Sequence, residues 1–181
     1  VGKHGALITY HRSDSNKMKD SEIKKMRSLI SSNFGINYLS ESELIYKEKS
    51  KFVQQGHEAV TPIQLNKKPE DIKNDVSNDQ FRLYELIWKR TIASQMSQSL
   101  SLETTFYIRG KKFLLKASGT IQKFNGFKKV YNYFDKNDES QNLPNLNENE
   151  KLKIEKIDSK KNYTKPPSRY SEAGLIKKLE E

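Results

Sequence analysis

The spacing of apolar side chains changes at about Gln98, and that change constrains the fold more than any other feature of the chain. Before it, apolar residues recur every three or four positions. Ile23, Met26, Leu29 and Ile30 make one such face, with Asp20 as its capping residue and Gly35 as its stop. Tyr84, Ile87, Trp88, Ile92 and Ala93 make another, predicting a helix over Phe81 to Met96 after the capping candidates Ser77 and Asp79. Between the two, Ser40 to Asp79 carries Pro62 and Pro69 among many polar residues and reads as loops broken by short helices. After Gln98 the period is two: Leu100, Leu102, Thr104, Phe106 and Ile108 alternate with Ser101, Glu103, Thr105, Tyr107 and Arg109, which is a strand. Gly110 begins a turn and Phe113, Leu115 and Ala117 alternate back, with Phe106 and Phe113 on the apolar parity expected to face a core. Asn125-Gly126 predicts a further hairpin, and Leu152, Ile154 and Ile157 predict one more strand. Pro166-Pro167 then separates a helix starting near Ser171. The fold class is α+β, a helical part followed by an antiparallel sheet.

Charge narrows the partners. Formal net charge is +10 over 181 residues, so the chain should seek polyanions, with nucleic acid ahead of an anionic membrane. The excess is local: from Gln98 to Phe134 there are seven Lys or Arg against Glu103 alone, whereas "DKNDESQNLPNLNENE", Asp135 to Glu150, holds five acids against Lys136 and reads as a solvated loop rather than a metal site. No apolar run approaches the roughly 18 residues of a spanning helix, and no secretory leader pattern is present at the N-terminus. The absence of cysteine fits a cytoplasmic location and removes thiolate metal sites. A first residue that is Val1, and a last segment that stops inside an amphipathic helix, suggest a fragment.

"LITYHRSDS", Leu7 to Ser15, gathers a tyrosine, an arginine, an acid and three hydroxyls. In an extended segment Tyr10, Arg12 and Asp14 share one side. A free phenol, with a pKa of about 10, attacks phosphorus poorly unless its anion is favoured. A guanidinium beside it can stabilise the phenolate and the charge that grows on a phosphate, and Asp14 can hold a histidine or an arginine in place. The plainer reading keeps Tyr10 as a packed aromatic, Arg12 as a solvated cation, Asp14 as a turn residue and His57 as a hydrated loop histidine. A metal site from His4, His11 and His57 has no support in spacing.

Further segments bear on that choice: "GHEAVTP" (Gly56 to Pro62), "LYELIWKRTIASQM" (Leu83 to Met96) and "TKPPSRYSEAGLIKKLEE" (Thr164 to Glu181). With "LITYHRSDS" they resemble, in order and with similar gaps, motifs of the type IA DNA topoisomerases, whose signatures run ITYxR(S/T)DS and HEAxRP. His57 followed by Glu58 is similar to the bacterial topoisomerase I branch rather than to topoisomerase III. The resemblance covers nearly the whole chain. It implies a winged-helix-like tyrosine domain over 1–97, part of an all-β hinge domain over 98–165, and the start of the next helical domain over 166–181.

The resemblance also implies roles. Tyr10 would cleave one strand through a 5′-phosphotyrosine link, letting another strand pass before religation relaxes negative supercoils. Arg12 and His57 would bind the scissile phosphate of the DNA, and Asp14 would orient His57. Magnesium would be held by an acidic N-terminal domain outside this chain, so this chain alone is expected to be inactive and to hold no metal. Single-stranded and negatively supercoiled DNA would be the partners, in the nucleoid of the cytoplasm. Three positions depart from the family pattern: Thr61 stands where arginine is usual, Ser13 for threonine, and Ala6 for glycine. A noncatalytic single-strand-binding module is the rival. A tyrosine nickase would need a His-x-His pair, which the sequence lacks.

Overall fold

A computed structural model describes residues 5–12, 14–46, 57–132 and 143–180. Two compact units are present, Val1–Pro144 and Asn145–Glu181. In the first, α1 (Asp20–Phe34) and α2 (Asn78–Ala93) precede β1 (Leu100–Arg109) and β2 (Leu114–Phe124), with short 3-10 turns at Ile36–Tyr38, Pro69–Ile72 and Gly126–Lys129. The second contains α3 (Glu172–Glu180). The α+β class is the observed one.

Helix α1 buries Ile23, Met26 and Ile30, three of the four residues on its apolar stripe. Its N-cap is Lys19 rather than Asp20, and no side chain caps it. Asp20 falls one residue inside, where its charge and that of Glu22 face the positive end of the helix dipole instead of capping it. At the other end Gly35 adopts φ 94° and its N–H donates to Ser31 O at 3.1 Å. Helix α2 starts on a capping box: Gln80 N donates to Ser77 Oγ, and Ser77 N to Gln80 Oε1.

The core joins the two helices through Met26, Ile30, Ile72, Tyr84, Trp88, Ile92 and Met96. Each such side chain removed from water contributes on the order of 1.5–3 kcal/mol. Two polar tips in this core reach backward to one loop: Trp88 Nε1 donates to Leu65 O at 2.9 Å and Tyr84 Oη to Lys67 O at 2.7 Å. Burial pushes the Tyr84 phenol up to about 12, so it is a structural donor at any physiological pH. Leu7 and Ile8 pack on the same core from the N-terminal side.

The sheet is an antiparallel pair in which Leu102, Phe106 and Ile108 face Ile121, Ala117 and Leu115. Three sequence expectations change here. Asn125-Gly126 does not form a hairpin: β2 ends at Phe124, and the reversal is made at 110–113, where Gly110 N donates to Phe113 O at 2.8 Å. The glycine is needed for another reason. Gly126 has φ 51° and lies so close to the backbone of Gln98 and Ser99 that a Cβ would collide with Gln98. Phe113 is in that turn and 74% exposed rather than in a core, while Phe106 is half-buried. The segment with Leu152, Ile154 and Ile157 forms no strand and leaves all three exposed, because alternation without a neighbouring strand has nothing to pair with. Residues 135–142 of the acidic stretch lie outside the described residues.

Candidate active site

The N-terminal segment is held against the chain fifty residues on. Ile8 and Pro62 form an isolated antiparallel bridge. Thr9 N donates to Thr61 O at 2.9 Å, and Ile63 N to Leu7 O at 3.0 Å. The Thr9 hydroxyl is used twice, donating to Ala59 O at 3.1 Å and accepting from Thr61 N at 2.9 Å. Ala59 N in turn donates to Lys17 O at 2.8 Å. These bonds, with Leu7 and Ile8 anchored on the core, fix the side from which Tyr10 projects.

Tyr10 is 72% exposed. It is not a packed aromatic; its only ring neighbour among the described residues is His11, at 5.4 Å and tilted by 50°. Thr9, Tyr10, Arg12, His57 and Glu58 line one open recess of about 170 Å³, large enough for a phosphate group. Asp14 ties two of these residues together with a single oxygen: Arg12 Nε donates to Oδ2 at 3.1 Å, and His57 Nδ1 lies 3.1 Å from the same atom. The His57 hydrogen bond holds the Asp14 carboxyl below its ordinary 3.8, helped by the Arg12 charge and opposed by partial loss of water. The carboxylate is thus ionised at neutral pH and can only accept, so Nδ1 of His57 carries the hydrogen. Asp14 Oδ1 is buried without a partner among the described residues.

The structure therefore brings Tyr10, Arg12, Asp14 and His57 together. Gly56, Ser13 and His4 lie outside the described residues. The role of Thr9 is not legible in the sequence, because its parity is opposite to that of Tyr10 and its hydroxyl is one of three in the segment. Glu58 is balanced by Lys19, whose Nζ lies 3.0 Å from Oε1. That ion pair raises the Lys19 pKa. Thr61, which stands where the family pattern has arginine, is buried and serves through its backbone.

Magnesium does not fit this donor set. Of the two carboxylates here, Asp14 is shared by Arg12 and His57, and Glu58 is paired with Lys19. Among the described residues no three His, Asp or Glu side chains cluster as a metal site would require. No helix of the described residues is long and apolar enough to cross a membrane.

Comparison with known proteins agrees with the motif order. The family described as DNA topoisomerase matches residues 3–181. DNA topoisomerase 1 of Rickettsia bellii (strain RML369-C) is 42% identical over 187 aligned positions, covering 100% of this chain and 23% of that protein. DNA topoisomerase 1 of Campylobacter jejuni subsp. jejuni serotype O:2 is 37% identical over 174, covering 96% and 24%. Full-length topoisomerase I from Thermotoga maritima superposes with a TM-score of 0.75 at 32% identity, over 97% of this chain and 27% of that one. The chain thus spans about a quarter of the length of the relatives it matches. On these matches the chain belongs to the DNA topoisomerases of type IA, on the bacterial topoisomerase I branch.

Proposed function

We propose that this chain supplies the strand-cleaving tyrosine of a type IA topoisomerase that relaxes negatively supercoiled DNA. The observation that carries the reading is the recess in which an exposed Tyr10 meets Arg12 and His57. Tyr10 Oη forms a bond to the phosphorus of one strand as the bond from that phosphorus to the 3′ oxygen breaks. The phenol proton leaves, and the departing 3′ oxygen takes one up. One phosphate ester replaces another, so little energy is lost, and after a second strand passes the 3′ hydroxyl reverses the step. Arg12 neutralises charge on the phosphate oxygens as it grows. His57, held through Nδ1 by Asp14, contributes a hydrogen bond and positive charge at the same phosphate when its other ring nitrogen also carries a hydrogen. The magnesium ligands belong to an acidic N-terminal domain of the same polypeptide, and such an enzyme works on the nucleoid in the cytoplasm.

A module that merely binds single strands by stacking has no need of Arg12 and His57 fixed on one carboxylate beside the ring of Tyr10. The test is covalent capture. The chain is assembled with the acidic N-terminal domain of a relative, given magnesium and a 3′-labelled single-stranded oligonucleotide, and run under denaturing conditions. Label is expected on the wild-type chain and not on Tyr10→Phe. Label that persists on Tyr10→Phe overturns the reading, as does its absence from a wild-type assembly that sedimentation shows to have formed.

A further inference from the structure

The polar face of the β1–β2 hairpin is made of residues that take no part in the Tyr10 recess. Alternation puts Ser101, Glu103, Thr105, Tyr107 and Arg109 on that face, and the register sets Gln122, Thr120, Ser118, Lys116 and Leu114 opposite them. Tyr107 is 67% exposed, although an aromatic on a strand ordinarily covers its ring with a neighbour. Its cross-strand partner is exposed Lys116, and exposed Arg109 follows two residues along, opposite Leu114 at 66% exposure. Directly opposed residues have Cβ atoms about 5 Å apart, and same-face neighbours on one strand about 7 Å. The ring is therefore bracketed by two cations within reach of its edge.

The other flank is closed by the Thr105 and Ser118 hydroxyls, 3.1 Å apart. Glu103, the one carboxylate on this face, stands four residues from Tyr107, about 13 Å along the strand. Exposed Lys111 and Lys112 extend the positive charge into the turn. An uncovered ring with cations on two sides suits a polyanion that also presents free π faces. Duplex DNA meets the first requirement and hides its base faces. Unpaired DNA meets both.

We propose that this face is a second contact site for single-stranded DNA, with Tyr107 stacking an unpaired base and Lys116 and Arg109 holding the phosphates on either side. The inference rests on DNA as the ligand, as proposed above, and not on cleavage by Tyr10.

Anisotropy titrations of the 181-residue chain with labelled oligothymidine, and with a duplex of equal length, at several salt concentrations test it. Tyr107→Thr keeps a residue that favours strands, so the hairpin is preserved. It should weaken single-strand binding roughly 5- to 100-fold without changing the salt slope, and Tyr107→Phe should stay within about twofold of wild type. Lys116→Ala and Arg109→Ala should each lower the slope of log affinity against log salt by about 0.7. Wild-type affinity in Tyr107→Thr overturns the proposal, as does an equal loss on the duplex or a salt slope unmoved by both cation variants. Covalent capture by Tyr10 is a separate readout, so either proposal can fail alone.

Discussion

Asp14 uses one oxygen for two partners, and this makes it the residue on which the geometry of the recess turns. Removing its charge while keeping its shape loosens Arg12 and His57 together. In the assembled enzyme Asp14→Asn is expected to slow formation of the covalent complex roughly ten- to hundredfold, because Arg12 and His57 lose the acceptor that orients both. Single-turnover rates at saturating DNA check this, and a loss confined to DNA binding would contradict it. The pH dependence has a definite sign. Asp14's folded pKa lies below its unfolded value, chiefly through the His57 hydrogen bond. Its contribution is therefore complete above about pH 4 and is lost as pH falls through the depressed folded value. The Nδ1 proton of His57 should stay hydrogen-bonded in NMR spectra from neutral pH down to that point. Shared strand parity was enough to put Tyr10 and Arg12 on one side. What parity could not reveal was Thr9, whose two bonds run to residues fifty and more positions away.

At the level of elements, periodicity made α1, α2, β1 and β2 legible because each buries or pairs one face of its own sequence. The turns were less legible. Asn125-Gly126 carries the signature of a tight hairpin, yet its glycine is required by contact with a distant segment: Phe127 N donates to Ser97 O at 2.9 Å, drawing Gly126 onto Gln98. A local motif and a tertiary contact ask for the same residue, so the sequence does not separate them. Gly126→Ala must then suffer both the left-handed backbone and a clash with main chain. A loss of about 2–5 kcal/mol is expected in urea unfolding, the sum of a positive-φ penalty and overpacking. A hairpin turn open to solvent would show only the first part. The strand expected around Ile154 failed for the opposite reason: its alternation is real, but pairing is a property of two segments.

Across the whole molecule the two compact units differ in how their chain is protected. In Val1–Pro144 the core residues Met26, Ile30, Ile72 and Ile92 are fully enclosed, and the site is assembled by bonds between segments half a hundred residues apart. In Asn145–Glu181 the backbone from 151 to 171 has no regular structure, and its residues are exposed. That stretch also contains Lys151, Lys153, Lys156, Lys160, Lys161, Lys165 and Arg169. Cleavage by a protease requires an extended, accessible backbone, which a helix must first unfold to provide. Trypsin should therefore cut between 151 and 169 well before it cuts within α1 or α2, despite Lys24, Lys25, Arg82 and Lys89 on those helices. Mass spectrometry of a short digest checks the order. Trp88, with its Nε1 bonded to Leu65 O inside the first unit, should keep its near-ultraviolet dichroism through those first cuts. If the signal decays with them, the core that positions Tyr10 depends on the second unit; if it holds, the first unit maintains the recess by its own packing.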